Sequence, residues 1–164
     1  WQSVDGASTE EMRELTQKYT QILSENTGNP YDGRTLFAKH CGKCHQLFNT
    51  GGNVGPNLTA FKRDDIQRML ENIVNPSLEI REGYENFAAF TADGRTLTGF
   101  IDDQDNRVVV MRGVDGQRTV INRDDIEELV GISRSVMPEG ILKPLSEDEI
   151  RNLFAYLRAS QPLP

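Results

Sequence analysis

Apolar residues recur every three or four positions in several separate stretches of the chain, which is the spacing of one buried helix face. The stretches with this spacing are 8–23, 64–74 and 146–157. The first and last begin with predicted capping boxes, formed by Ser8 with Glu11 and by Ser146 with Glu149. A shorter helix is predicted to begin near residue 32 or 33. The pattern therefore predicts a mostly helical protein.

Between residues 84 and 122 the apolar spacing shortens, as it does in half-buried strands. The pairs Asp93-Gly94 and Asp115-Gly116 have the composition of hairpin turns. They help to divide the segment into four predicted strands, at 84–91, 95–102, 107–113 and 117–122. A helix is predicted to return after Asp125. The predicted fold is α+β overall, mainly helical with a small inserted antiparallel sheet.

These elements suggest two parts of unequal size. Residues 1–29 are predicted to form an N-terminal amphipathic helix and a linker. Residues 30–164 are predicted to form one domain, which contains the β-rich insertion at about 84–122. A chain of 164 residues is long enough for one domain with an insertion of this kind.

The net charge of the chain limits the classes of molecule that it is expected to bind. The formal net charge is -7 and the isoelectric point is about 4.9, which argues against nucleic acid and suits a basic protein partner better. No stretch approaches the roughly 20 apolar residues of a membrane-spanning helix. The chain opens on polar residues without an initiator methionine, so we expect a mature or excised form whose export signal has been removed.

The chemistry is concentrated in one short segment. The chain has two cysteines and two histidines, and all four lie between positions 40 and 45. Cys41-Gly-Lys-Cys44-His45 has the C-x-x-C-H spacing of covalent haem attachment. Two intervening residues let both sulfurs form thioethers with the two vinyl groups on one edge of the porphyrin. The histidine that follows is then placed under the iron, so the motif predicts one haem c with His45 as an iron ligand.

Three other uses of this cluster need features that the sequence does not predict. A structural zinc site usually combines two well-separated pairs of ligands, and no second pair exists here. A thioredoxin-like dithiol follows a buried strand, whereas residues 34–40 are predicted to be helical. A disulfide across two residues would close too short a loop to stabilise much. We therefore favour haem attachment over these alternatives.

The iron of a c-type haem normally takes a second axial ligand. His40 comes one residue before the motif, so it is expected on the same side of the ring or in solvent. The remaining candidates are the thioether sulfurs of Met12, Met69, Met111 and Met137. The first two fit helix stripes, and Met111 lies in a β-run. Met137 lies in a loop that Pro138 stiffens, so it is the predicted ligand, with Met111 as the second candidate.

These pieces together resemble a class I cytochrome c. The matching segments are Gly33 to Phe37 before the motif, Gly55-Pro56-Asn57-Leu58, Met137-Pro138 and the last helix with Tyr156. The resemblance implies that the first and last helices of that fold cross at Gly33, Phe37 and Tyr156. It also implies that the carbonyl of Pro56 accepts a hydrogen bond from His45 and orients the imidazole.

The β-rich stretch makes the segment between His45 and Met137 longer than a compact class I domain needs. That combination resembles the haem-binding domain of planctomycetes and related bacteria, often found at the C-terminal end of large dehydrogenases described as membrane-bound. The segments that carry this resemblance are Gly83-Tyr84-Glu85, Asp93-Gly94-Arg95, Leu97-Thr98-Gly99, Asp124-Asp125-Ile126 and Ser135-Val-Met137-Pro138. The resemblance covers roughly residues 30–160.

The resulting expectation is a non-enzymatic protein that transfers single electrons, with a redox partner protein or a fused dehydrogenase domain. The alternative is a haem peroxidase or a gas-binding sensor with a labile sixth ligand, which would need an open position and distal acid–base groups. In bacteria haem c is attached on the outer face of the cytoplasmic membrane. We therefore expect a periplasmic or exported protein, and any membrane tether would belong to a parent protein.

Overall fold

The computed structural model describes residues 9–164, so the predicted capping pair of Ser8 and Glu11 lies partly outside the described residues. The described residues form four α-helices, which are α1 (Thr9–Glu25), α2 (Pro30–His40), α3 (Ile66–Val74) and α4 (Glu147–Leu157). They also form two antiparallel sheets. A small hairpin pairs β1 (Gln46–Leu47) with β2 (Thr50–Gly51). The larger sheet comprises β3 (Asn86–Thr91), β4 (Thr96–Gln104), β5 (Val108–Arg112), β6 (Arg118–Asn122) and β7 (Ile126–Ile132).

The helical part is built on the crossing of α2 and α4. Gly33 of α2 lies directly against the main chain of α4 at Asn152, and the ring of Phe37 packs edge-on against Tyr156 at 5.5 Å. Side chains of α1 and α3 complete one apolar core, in which Leu47, Leu70 and Leu153 are fully buried. The predicted crossing residues therefore meet as expected. The capping box of Ser146 and Glu149 at the start of α4 is also present.

The buried side chain of Arg151 links α4 to α1 through hydrogen bonds. The Nε of Arg151 donates to the carbonyl of Ile22 at 3.0 Å, and its Nη2 contacts Glu25 at 2.9 Å. Its side chain is only 10% exposed, and Asp148 on its own helix balances the charge. A buried guanidinium is stable only where its donors are paired, as they are here. The N-terminal helix is thus bound to the rest of the helical core.

The larger sheet has the strand order β6-β5-β4-β3-β7, with every neighbouring pair antiparallel. It has a core of its own, separate from the helical one, in which Ala89, Val109, Met111 and Ile121 are buried. The four predicted strands are confirmed to within two residues at each end. The mixed α+β composition is therefore also confirmed.

The predicted helix after Asp125 is wrong, because this segment begins with β7 and the sheet extends to Ile132. The cause is a β-bulge. In the pairing of β7 with β3, Phe90 faces Glu128 and Thr91 faces Ile126, so Glu127 is an extra residue. The bulge lets Ile126 and Leu129, three positions apart, pack against the same core. A spacing of three resembles a helix face in the sequence, and this explains the error.

Candidate functional site

The C-x-x-C-H segment forms a tight turn directly after α2. The amide of Cys41 donates to the carbonyl of Phe37 at 2.8 Å, which ends the helix. The amides of Cys44 and His45 both donate to the carbonyl of Cys41, at 3.1 and 2.9 Å. The two cysteines are not joined by a disulfide and are partly exposed. The turn thus presents two thiols and one imidazole from a single rigid stretch of backbone.

The orientation of His45 is set by one hydrogen bond. Its Nδ1 lies 2.8 Å from the carbonyl oxygen of Pro56. Because a carbonyl can only accept, Nδ1 must carry the proton, and in the neutral ring Nε2 then has a free lone pair. Burial lowers the pKa of His45, and the hydrogen bond to Pro56 opposes this to a smaller extent. The imidazole is therefore held in the tautomer that can bind a metal through Nε2.

The Gly-rich loop over residues 49–57 packs closely against the motif. The amide of Gly52 donates to the carbonyl of Gly42, and the amide of Gly55 donates to the carbonyl of Cys44, each at 2.8 Å. A Cβ at Gly55 would lie only 2.7 Å from Cε1 of His45. The glycines therefore let the loop backbone lie flat on the motif and on the imidazole, which a larger residue would prevent.

The same geometry counts against the zinc and dithiol alternatives. Burial, and then the neighbouring Cys44, raises the pKa of Cys41 to about 11, which disfavours the thiolate that a reactive dithiol needs. Over residues 9–164 the structure places no three His, Cys, Asp or Glu side chains where they could hold a metal ion together. The dithiol also follows a helix instead of a strand. Two cysteine side chains beside an oriented imidazole fit the attachment of haem c.

The structure places Met137 on a different loop, between β7 and α4. Its amide donates to Oγ of Ser135 at 3.1 Å, and the amide of Ser135 donates to Oγ of Ser77 at 3.0 Å. The second bond ties the loop to the segment that follows α3. Met111, the second candidate, lies in the core of the larger sheet and is 2% exposed. The structure therefore brings Cys41, Cys44, His45 and Pro56 together, with Met137 on a separately anchored loop.

One residue at this site was not predicted from the sequence. Arg112, at the end of β5, donates from Nη1 to the carbonyls of Asn53 and Val54, at 3.3 and 3.1 Å. These carbonyls belong to the Gly-rich loop that carries Pro56. No local sequence signal marks Arg112, because its partners lie nearly 60 positions earlier in the chain. The larger sheet is thus connected directly to the loop that orients His45.

Comparison with known proteins supports the assignment of the site. Residues 31–110, a little under half of the chain, match the model of the family described as Cytochrome c. The chain matches none of the curated proteins. Within residues 9–164, none of the helices has both the length and the apolar character needed to cross a membrane. The matched range contains both cysteines, His45 and Pro56, so residues 31–110 are similar to a c-type cytochrome domain, and the cofactor is covalently attached haem c.

Proposed function

We propose that this protein transfers single electrons through its haem, with His45 and Met137 as the two axial ligands. Bound haem c supplies a one-electron couple between ferric and ferrous iron. The observation that carries the proposal is the 2.8 Å hydrogen bond from Nδ1 of His45 to Pro56. It leaves Nε2 unprotonated and fixes the plane of the ring, so little reorganisation is needed when an electron arrives.

The surroundings of the other methionines support Met137 as the second ligand. Met12 is 6% exposed in the helical core and Met111 is 2% exposed in the sheet core, so each side chain already has an apolar packing role. Met69 also packs against the helical core. Met137 lies in a loop next to Pro138, half-buried and anchored through Ser135. A thioether at this position would raise the reduction potential relative to a second imidazole.

The proposal also covers the type of domain, its redox partner and its location in the cell. We propose a class I cytochrome c domain of the planctomycete type, which takes electrons from a dehydrogenase that is either fused to it or a separate partner. The net charge of -7 suits a partner with a basic docking face. Attachment of haem c outside the cytoplasmic membrane in bacteria supports a periplasmic or exported location.

Replacing Met137 with leucine is expected to abolish the sulfur-to-iron charge-transfer band of the ferric protein and to open the iron to carbon monoxide in the ferrous protein. Leucine keeps the apolar volume and removes the sulfur, so the packing of the loop is expected to be retained. Absorption spectra of the two oxidation states, with and without carbon monoxide, provide the measurement.

Met111→Leu is the matched control, because it makes the same replacement at the second candidate. We expect it to keep the band and to exclude carbon monoxide as the wild type does. Loss of the band in Met111→Leu alone would transfer the ligand role to Met111. Rapid, tight binding of carbon monoxide by the wild type would favour the peroxidase or sensor alternative.

A further inference from the structure

The guanidinium of Arg112 joins the larger sheet to the haem-attachment region. Its Nη1 donates to the carbonyls of Asn53 and Val54, at 3.3 and 3.1 Å, and both residues precede Gly55-Pro56 in the loop. The side chain of Arg112 is 17% exposed, and Val54 is 6% exposed. The charge-assisted bond to Val54 is partly shielded from water, which strengthens it, whereas the bond to Asn53 is exposed. The contact is therefore a built part of the interface between sheet and loop.

Two side chains of the sheet hold Arg112 in this orientation. Its Nε donates to Oδ1 of Asp102 at 2.9 Å, and its guanidinium carbon lies 4.8 Å from the centre of the Phe100 ring. Asp102 is the extra residue of a β-bulge in β4, since Ile101 pairs with Met111 and Asp103 pairs with Val110. Bulges redirect side chains, and here the side chain of Asp102 is 19% exposed although its main chain is open to solvent.

The Val54–Gly55 peptide connects this arrangement to His45. Its carbonyl accepts from Arg112 on the sheet, while its N–H donates to the carbonyl of Cys44 at 2.8 Å. Both polar groups of one rigid peptide plane are thus fixed, one by the sheet and one by the C-x-x-C-H turn. The next residue, Pro56, supplies the carbonyl that accepts from Nδ1 of His45.

We propose that Arg112 is a positioning residue for His45, and that the larger sheet thereby helps to set the reduction potential of the haem. This inference rests on the proposed role of His45 as an iron ligand. A strong hydrogen bond from Nδ1 to a carbonyl makes the imidazole more basic, and a more basic ligand favours ferric iron. Releasing the loop lengthens that bond, so the equilibrium shifts towards ferrous iron and the potential rises.

The charge of Arg112 acts in the opposite direction. Removing a positive charge beside the loop that orients His45 would favour the ferric state and lower the potential. Arg112→Lys separates the two effects, because lysine keeps the charge but lacks the planar guanidinium, which binds Asp102 through Nε and the loop carbonyls through Nη1. Arg118 offers a matched control. Its Nε pairs with the other oxygen of Asp102 at 3.0 Å, it is 59% exposed, and the contacts found among residues 9–164 do not join it to the loop.

The experiment compares R112K with R118K as haem-loaded proteins, by spectroelectrochemical titration and by the proton NMR signal of His45 Nδ1–H in the ferrous state. For R112K we expect the one-electron equilibrium to shift about three- to tenfold towards ferrous iron, where tenfold is about 59 mV, together with a displaced Nδ1–H signal. For R118K we expect both measurements to remain at the wild-type values.

Equal potentials in R112K, R118K and the wild type would overturn the inference, and so would a shifted potential with an unchanged Nδ1–H signal. If R112K does not accumulate as folded protein, R112Q and R118Q replace the pair. Both lose the same charge, so a higher potential in R112Q than in R118Q supports positioning, and equal potentials overturn it. The proposed function fails separately, if the wild type binds no covalent haem or has no reversible one-electron couple.

Discussion

Replacing Gly33 with alanine is expected to lower the free energy of unfolding of the haem-loaded protein by about 3 kcal/mol. A Cβ at this position would overlap the main-chain carbonyl of Asn152 and lie 2.9 Å from Cβ of Tyr156. The first group is backbone, so α2 and α4 would have to separate along their whole contact. Alanine otherwise favours a helix by about 1 kcal/mol over glycine, so a loss of stability has to come from the crossing.

Urea denaturation followed by far-UV circular dichroism measures the effect as a lower midpoint at an unchanged slope. Gly131→Ala in β7 is the matched control. Its backbone is not left-handed, and a Cβ there would meet only Cε1 of Phe87 at 3.8 Å, an ordinary contact. We expect that variant to remain within about 0.5 kcal/mol of the wild type. Equal stabilities of the two variants would show that α2 and α4 can separate without cost.

Elements with strong local signals were predicted from the sequence to within a few residues. The Ser146 capping box locates the start of α4, and Asp93-Gly94 and Asp115-Gly116 separate the strands that they were expected to separate. These signals work because the side chains that produce them lie close to one another along the chain. The segment over 126–132 was misjudged for a non-local reason, since the bulge opposite Phe90 exists only once β7 has paired with β3.

The residues of the candidate site also differ in whether a local sequence motif predicts them. The two thiols and the imidazole could be read directly, because haem attachment requires them within five consecutive residues. The carbonyl of Pro56, 11 positions beyond His45, was expected only through the resemblance to class I cytochromes c, and the hydrogen bond is present at 2.8 Å. The role of Met137 stays a prediction.

Arg112 could not be anticipated at all. Its position depends on the register between β4 and β5, on the bulge at Asp102 and on the packing of a whole sheet against one loop. Neither propensity nor periodicity encodes such a combination, because each part is determined only by the others in the folded chain. From the sequence, the sheet was predicted only as an insertion into a haem domain. The contact between the sheet and the loop that orients His45 was therefore not predicted.

Replacing Gly55 with alanine is expected to weaken the proposed binding of His45 to iron by about tenfold to a hundredfold while leaving the covalent haem in place. The new Cβ would lie 2.7 Å from Cε1 and 3.0 Å from Nδ1 of the imidazole, so the ring or the loop must move. Either movement lengthens the hydrogen bond to Pro56. Cys41 and Cys44 are unchanged, and the thioethers are expected to form as in the wild type.

Electron paramagnetic resonance of the ferric protein measures the result as a larger high-spin fraction, and the haem content after denaturation checks the covalent attachment. Gly131→Ala again serves as the control, since it adds the same methyl group far from the imidazole in the chain. A low-spin spectrum identical to that of the wild type would mean that the loop yields without disturbing His45. In that case the hydrogen bond to Pro56 would not depend on the loop position, and Arg112 could not act on His45 through it either. Gly55→Ala and R112K thus test the same hydrogen bond, from Nδ1 of His45 to the carbonyl of Pro56. Gly55→Ala crowds the imidazole that donates the bond, and R112K releases the loop that accepts it.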